Sequence, residues 1–294
     1  MLESFLKYIE YEKRYSPHTI SSYKGDLERF LQFVNKEYQT NQIQEINHAV
    51  IRSWIIYLSE SGIGARSINR KIAALKSYFK FLLKREVIEE NPTQRLKPLK
   101  VEKKLPSFVR ESEMDQMLDH FQFSEDFGGY RDRLVIELLY GTGIRLSELI
   151  NLRKADVNLF ENHIKVLGKR NKERIIPISA FIVKLIKEYA KQVALQMGEA
   201  NENEYLILTD KGDQTYPVFI YRLIRKYLEQ FSHSDKKSPH VLRHTFATHL
   251  LNKGADLNAV KELLGHTSLA ATQVYTHNSL DKLKKVFDQA HPKA

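Results

Sequence analysis

Ser238-Pro239-His240-Val241-Leu242-Arg243 reads as the start of a helix, because Ser238 is a good N-cap and Pro239 suits the first helical position. His240 and Arg243 are three residues apart, so both project from one side of the first turn. Free backbone N–H groups, the positive end of the helix dipole and a guanidinium fork converge there, which suits an anion such as a phosphate. The pattern alone does not separate a site from an ordinary helix start.

Two further clusters have the same chemical character. In Leu263-Leu264-Gly265-His266, Asp256 can cap a short helix and Gly265 can end it, leaving His266 on the turn that follows. Tyr275 comes nine residues later, one of 15 tyrosines in the chain. Gly141-Thr142-Gly143-Ile144-Arg145-Leu146-Ser147-Glu148-Leu149 is a glycine turn feeding a helix whose first turn carries Arg145, again favourable to an anion. It is not a Walker loop, since both the spacing and the Lys-Ser/Thr pair are absent.

The elements that must position these groups divide the chain in two. Residues 1 to about 86 read as helices throughout. Ile20, Tyr23, Leu27, Phe30, Leu31 and Val34 repeat at helical spacing behind Ser16-Pro17, and Ile51, Trp54, Ile55 and Leu58 form a second stripe ended by Gly62 and Gly64. The next helix, near 66 to 85, puts Ile68, Ile72, Leu75, Phe79 and Leu82 on one face. Arg66, Arg70, Lys76, Lys80 and Lys84 fall on the opposite face, five positive charges without a negative one. A solvated surface usually mixes signs, whereas a row of phosphates calls for this pattern.

Residues 91 to 110 hold six Lys or Arg against one acid, Glu102, with prolines at 92, 98 and 106, and read as a basic linker. Beyond 107, helical signals at 111 to 121 and 131 to 140 precede a β-hairpin. In it, Ile164 and Val166 alternate before a basic turn over 168 to 172, and Arg174-Ile175-Ile176-Pro177 leads back. Helices follow near 180 to 196, 217 to 230, 239 to 253 and 256 to 264. There is no internal repeat.

The 294 residues suffice for two domains. With 46 Lys and Arg against 36 Asp and Glu, the formal charge of +10 favours a polyanionic partner. The absence of cysteine excludes disulfides, thiolate catalysis and cysteine-ligated zinc. Apolar runs are too short to span a bilayer and the first residues show no secretory pattern, so a cytoplasmic protein that does not engage a membrane is expected.

In order and spacing, these motifs resemble the tyrosine recombinase (phage integrase) family, in particular its bacterial Xer-like members. The resemblance rests on the block around Arg145, the Gly168-Lys169 hairpin ending in Lys172-Glu173-Arg174, His240-x-x-Arg243-His244-x-x-Ala247-Thr248, Leu264-Gly265-His266 and Tyr275. It runs along essentially the whole chain from Tyr15-Ser16-Pro17-His18-Thr19. It implies a mainly α fold with a small β-sheet in the second domain, arranged as a two-domain DNA clamp. An all-α core-binding domain would occupy 1–99, a basic linker 100–106, and a mixed α+β catalytic domain 107–294, ending in a docking helix over 280–290.

The resemblance further implies a catalytic set of Arg145, Lys169, His240, Arg243, His266 and the nucleophile Tyr275, with Lys172 the alternative to Lys169. Arg66, Arg70, Lys76, Lys80 and Lys84 would bind DNA. A tyrosine hydroxyl, with a pKa near ~10, needs a base or a strongly cationic site to attack phosphorus. Two arginines can stabilise the charge on the phosphorane, lysine can protonate the leaving 5′ oxygen, and the histidines can assist proton transfer or orient the phosphate. Because the phosphotyrosyl bond conserves the energy of the linkage, no cofactor, ATP or metal is expected.

The expected partner is double-stranded DNA with paired half-sites, bound by a homo- or hetero-tetramer on two duplexes, together with a second recombinase and a DNA translocase. Dimer resolution of chromosomes or plasmids is the expected role. Integration or transposition of a mobile element and DNA inversion would use the same chemistry. A type IB topoisomerase, a non-catalytic DNA-binding protein and a zinc hydrolase using His240 and His244 are the competing classes; the last lacks His-Glu-x-x-His.

Tyr275→Phe removes one hydroxyl and is expected to abolish any covalent protein–DNA adduct on nicked DNA while leaving DNA affinity nearly intact. Persistence of the adduct, seen as a shifted band on a denaturing gel, would dismiss Tyr275 as the nucleophile.

Overall fold

The computed structural model describes residues 1–102, 107–168, 172–198 and 203–265. The chain divides into two compact units, Met1–Lys104 and Leu105–Ala294.

The N-terminal unit is helical. Helix α1 (Leu2–Lys7) continues into a wider turn over Tyr8–Glu12, and is followed by α2 (Pro17–Tyr38), α3 (His48–Glu60) and α4 (Ala65–Lys84). Ser16 accepts from the Thr19 amide at 3.3 Å to start α2, with Pro17 at its first position. Asn47 caps α3 by accepting from Ala49 and Val50. The core gathers Phe5, Phe30, Trp54 and Phe79, with Phe30 and Trp54 edge to face at 5.0 Å between ring centroids.

Helix α4 is buried around most of its circumference. Besides the predicted stripe of Ile68, Ile72, Leu75, Phe79 and Leu82, it buries Lys71, Ala74, Tyr78 and Phe81. The Lys71 ammonium is matched by Asp26 of α2 at 2.6 Å, as burial of a charge requires.

The stretch after α4 departs from a plain linker. The Asn69 side chain makes two hydrogen bonds to the Leu99 backbone, donating to its carbonyl at 2.9 Å and accepting from its amide at 2.7 Å. Lys76 donates to the Leu96 carbonyl at 2.8 Å, and Leu96 is buried. Residues up to 99 therefore belong to the N-terminal unit, because an amide and an ammonium on α4 satisfy their backbone. Charge composition alone could not reveal that.

The second unit is built on α6 (Phe127–Thr142), whose residues are almost all buried and which packs on α8 (Ala180–Met197) and α10 (Pro239–Asn252). The predicted helix at 111–121 is α5 (Glu111–Asp115) widening over Gln116–His120. Helix α7 (Leu146–Ile150) follows α6, α9 (Pro217–Phe231) precedes α10, and α11 (Leu257–Leu264) is the last described element. A backbone amide ties the start of this unit to α10, since Val109 donates to the Thr245 hydroxyl at 2.9 Å.

The predicted hairpin is present as β2 (His163–Leu167) and β3 (Glu173–Pro177), antiparallel, with β1 (Val157–Asn158) added outside β2. A two-residue strand carries too little alternation to be read from sequence. The register pairs Val166 with Arg174 and Ile164 with Ile176, and all four are buried. Strand alternation thus points Arg174 to the core side together with three aliphatic residues. Among the described residues, no helix is long and apolar enough to cross a membrane.

Candidate active site

Gly143 ends α6 in the left-handed region at φ +60°, where a side chain would be strained. A Cβ there would also run into Phe246 of α10 and stand 2.9 Å from Leu264 Cδ2, so only glycine lets α6, α10 and the end of α11 meet. The turn hands the chain to Arg145 at the N-cap position of α7, one place before the predicted first turn. Glu148, three residues on, reaches back to accept from the Arg145 amide at 2.7 Å and from its guanidinium at 2.7 Å.

With Pro239 at the first position of α10, His240 lies in the first turn, as predicted, and Arg243 is the fifth helical residue, at the start of the second. Ser238 sits at the N-cap but its side chain makes no capping bond. His240 and Arg243 differ in surroundings: His240 is exposed, whereas Arg243 is buried and donates to the carbonyls of Gly143 and Leu264. At the end of α11, which Asp256 caps as expected, Gly265 takes φ +63°. Its carbonyl accepts from Arg145 at 2.9 Å.

A third guanidinium completes the cluster. Arg174 of β3 grips both oxygens of Glu148, at 2.7 and 2.8 Å, and donates through Nε to the Leu263 carbonyl at 2.9 Å. The last three carbonyls of the α11 turn, those of Leu263, Leu264 and Gly265, therefore each receive one arginine. This satisfies the free acceptors of a helix end and brings positive charge to the negative end of its dipole.

The electrostatics are unbalanced. Arg145 and Arg174 share the Glu148 carboxylate while Arg243 meets only carbonyls, so among the described residues the bonded cluster has three guanidiniums to one carboxylate, an excess of two positive charges. Burial alone would raise the Glu148 carboxyl, but the hydrogen bonds and charge of Arg174, with the amide and guanidinium of Arg145, hold it at about 2 against an ordinary 4.5. Burial lowers the Arg243 guanidinium to about 10, and the positive charge of Arg145 adds to that. A buried cation in this condition gains from any anion that reaches it.

Of the predicted residues, Arg145 and Arg243 are brought together, and His240 lies three residues before Arg243 on α10. Lys169, His266 and Tyr275 lie outside the described residues. The residues preceding two of them in sequence do belong to the cluster: Gly265 packs on Arg174, and Gly168, whose amide donates to the Lys172 carbonyl at 2.8 Å, adjoins Arg174 and Glu148. Lys172 itself is exposed. Glu148 and Arg174 were not among the predicted site residues. The three-residue spacing of Glu148 from Arg145, and an arginine at a core-facing strand position, are the signals that could have found them.

On α4, Arg66, Arg70, Lys80 and Lys84 are exposed and Lys76 is half-buried. Arg70 is paired with Asp26 at 2.6 Å, Lys76 is held by the Leu96 carbonyl, and the Lys84 ammonium lies 5.9 Å from the Tyr8 ring centroid. Among the described residues, Arg66 and Lys80 have no ionic partner, and no group of His, Asp or Glu side chains could share a metal ion.

Residues 107–281 match the Phage integrase family, and residues 2–86 match the Phage integrase N-terminal SAM-like domain. Along its whole length the chain is 37% identical to tyrosine recombinase XerC of Chlorobaculum parvum, covering 94% of that protein. It is 35% identical to tyrosine recombinase XerD of Staphylococcus saprophyticus, covering 99% of it. Its fold is similar to that of the XerH site-specific recombinase bound to palindromic difH substrate in a post-cleavage complex, with TM-score 0.73, 24% identity, and coverage of 97% of this chain and 83% of that one. It is also similar to the Tn1549 transposon integrase in complex with transposon right end DNA, with TM-score 0.71, 20% identity, and coverage of 97% and 98%.

The depressed Glu148 carboxyl makes the cluster pH-dependent. Its stabilisation is fully present above about pH 4.5 and is lost as pH falls through about 2, a change of about 3 kcal/mol. Glu148→Gln is expected to lower stability at neutral pH by about 3 kcal/mol, because Arg145 and Arg174 lose their carboxylate, and to flatten the acid-side slope over that window. Urea unfolding of both chains at a series of pH values checks this; parallel curves would contradict it.

Proposed function

The chain belongs to the phage integrase family and is a Xer-like tyrosine recombinase, and from that premise we propose that its arginine cluster is the seat of the scissile phosphate. The observation carrying this reading is that, among the described residues, the bonded cluster has two more guanidiniums than carboxylates. Arg145 and Arg243 reach the site from two different elements, so they can take the non-bridging oxygens from two directions and stabilise charge that grows in the transition state.

The reaction is a pair of transesterifications. The Tyr275 oxygen attacks phosphorus, the bond from phosphorus to the 5′ oxygen breaks, and a 3′-phosphotyrosyl linkage forms. The tyrosine proton passes to a base, for which His240 and His266 are the candidates, and the departing 5′ oxygen takes a proton from Lys169. A 5′ hydroxyl from a second strand reverses the sequence and reseals the DNA. The number of phosphodiester-type bonds is unchanged, so the residues of this chain suffice.

The two half-reactions require two sites held together. A tetramer on two duplexes with paired half-sites, in which residues 280–290 of one subunit dock on the next, would couple cleavage to assembly. The α4 face with Arg66, Arg70, Lys76, Lys80 and Lys84 would follow the DNA backbone. Full-length similarity to proteins named XerC and XerD supports a cytoplasmic role in chromosome or plasmid dimer resolution beside a second recombinase, with a translocase as a further partner.

If Lys169 protonates the leaving oxygen, Lys169→Ala should slow cleavage severely on ordinary DNA, and a 5′-bridging phosphorothiolate, whose sulfur leaves without a proton, should restore much of the rate. Rescue of Lys172→Ala instead would move the role to Lys172. An absence of covalent adduct from the unaltered chain on both substrates would overturn the recombinase reading of the site.

A further inference from the structure

We infer that Arg174, which the catalytic set does not include, is a positioning residue that locks Arg145 and the end of α11 into one arrangement; this rests on the phosphate-binding reading of the cluster. The strand register decides where Arg174 points. Paired with Val166 and two residues from Ile176, it occupies a core-side position, and its side chain is 5% exposed. An arginine does not belong among aliphatic neighbours unless its donors are matched.

The matches join three segments. The fork on Glu148 uses both terminal nitrogens, so the carboxylate cannot rotate, and the same carboxylate orients the Arg145 guanidinium and receives the Arg145 amide. The Nε bond to Leu263 fixes the final turn of α11. Gly265, the residue before His266 in sequence, packs so closely that a Cβ there would stand 3.2 Å from Arg174 Cδ and 3.3 Å from Nε and Nη1. A Cβ at Gly168, the residue before Lys169, would lie 3.5 Å from Nη1. One side chain thus bonds the carboxylate that orients Arg145 and the last turn of α11 ahead of His266, and lies beside Gly168, the residue before Lys169.

Arg174 acts through these neighbours and does not itself hold phosphate. Its terminal nitrogens are committed to the carboxylate of Glu148, which competes with a phosphate for the same donors, whereas those of Arg243 meet only neutral carbonyls and the Arg145 side chain retains 20% exposure. Lysine in its place would keep the charge but could neither grip both carboxylate oxygens nor supply an Nε donor.

The test is Arg174→Lys in the full chain, with half-site affinity, single-turnover cleavage of a nicked DNA and thermal unfolding measured side by side. The expected result is half-site binding close to that of the unaltered chain with cleavage slowed by about 100-fold, the scale that misplacement of reacting groups by an ångström produces. Cleavage equal to that of the unaltered chain overturns the inference. So does a loss of cleavage that merely tracks loss of folded protein and disappears on cooling, which would make Arg174 a stabilising residue only. Should Arg174→Lys not fold, Glu148→Asp withdraws the carboxylate from the fork while keeping every charge and must show the same split between binding and cleavage. Failure of both variants to fold also overturns the inference. The unaltered chain separates the two readings: no adduct in it removes the functional premise, whereas equal adduct in both chains removes only the role of Arg174.

Discussion

The bidentate ion pair between Glu148 and Arg174 is the constraint on which the rest of the catalytic unit depends. It links a residue at the start of α7 to one on β3, and through the Leu263 carbonyl it links both to the end of α11. The tolerances around it are small. Gly143 and Gly265 both adopt left-handed backbone; a single added carbon would collide with Phe246 and Leu264 at the first and crowd Arg174 at the second. Helix ends, a strand and one carboxylate therefore converge because no side chain separates them.

Burying Arg174 and Arg243 and half-burying Arg145 beside one carboxylate opposes folding, since charges lose hydration on leaving water. The fold offsets this with main-chain carbonyls, which accept from Arg243, Arg145 and Arg174 at places where helix geometry leaves acceptors free. Carbonyls carry only partial charge, so hydrogen bonding is satisfied while net positive charge remains. That residue of charge is what an incoming phosphodiester would neutralise. In the N-terminal unit the buried Lys71 instead meets the Asp26 carboxylate directly.

Much of this was legible in the sequence, because it rests on local rules. The stripes of α2, α3 and α4, the cap of α11 by Asp256 and the hairpin of β2 and β3 follow from periodicity and turn chemistry. Arg145 and Arg243 stood out as anion-friendly positions at helix starts, and only the family resemblance made them candidates for the site. What sequence reading missed depends on partners distant in the chain. Glu148 and Arg174 are 26 residues apart, and their pairing becomes visible only when the register turns Arg174 inward. From charge and prolines alone residues 91 to 99 read as linker, although the family resemblance set the domain boundary at 99, because the groups that hold Leu99 and Leu96, Asn69 and Lys76, lie 30 and 20 residues earlier. Arg243 is buried rather than presented beside His240, since the Gly143 turn and the end of α11 close over it.

The central claim is that the uncompensated positive charge around Glu148 exists to receive the negative charge of a phosphodiester. Its most direct test compares Arg243→Ala with the unaltered chain on nicked DNA whose scissile phosphate is either ordinary or a methylphosphonate, in which a methyl group replaces one non-bridging oxygen and removes the charge. The account predicts that the substitution slows adduct formation on ordinary DNA by at least about 100-fold but on the neutral substrate by less than about tenfold. An equal defect on both substrates would contradict it, because Arg243 would then serve the fold and not the phosphate.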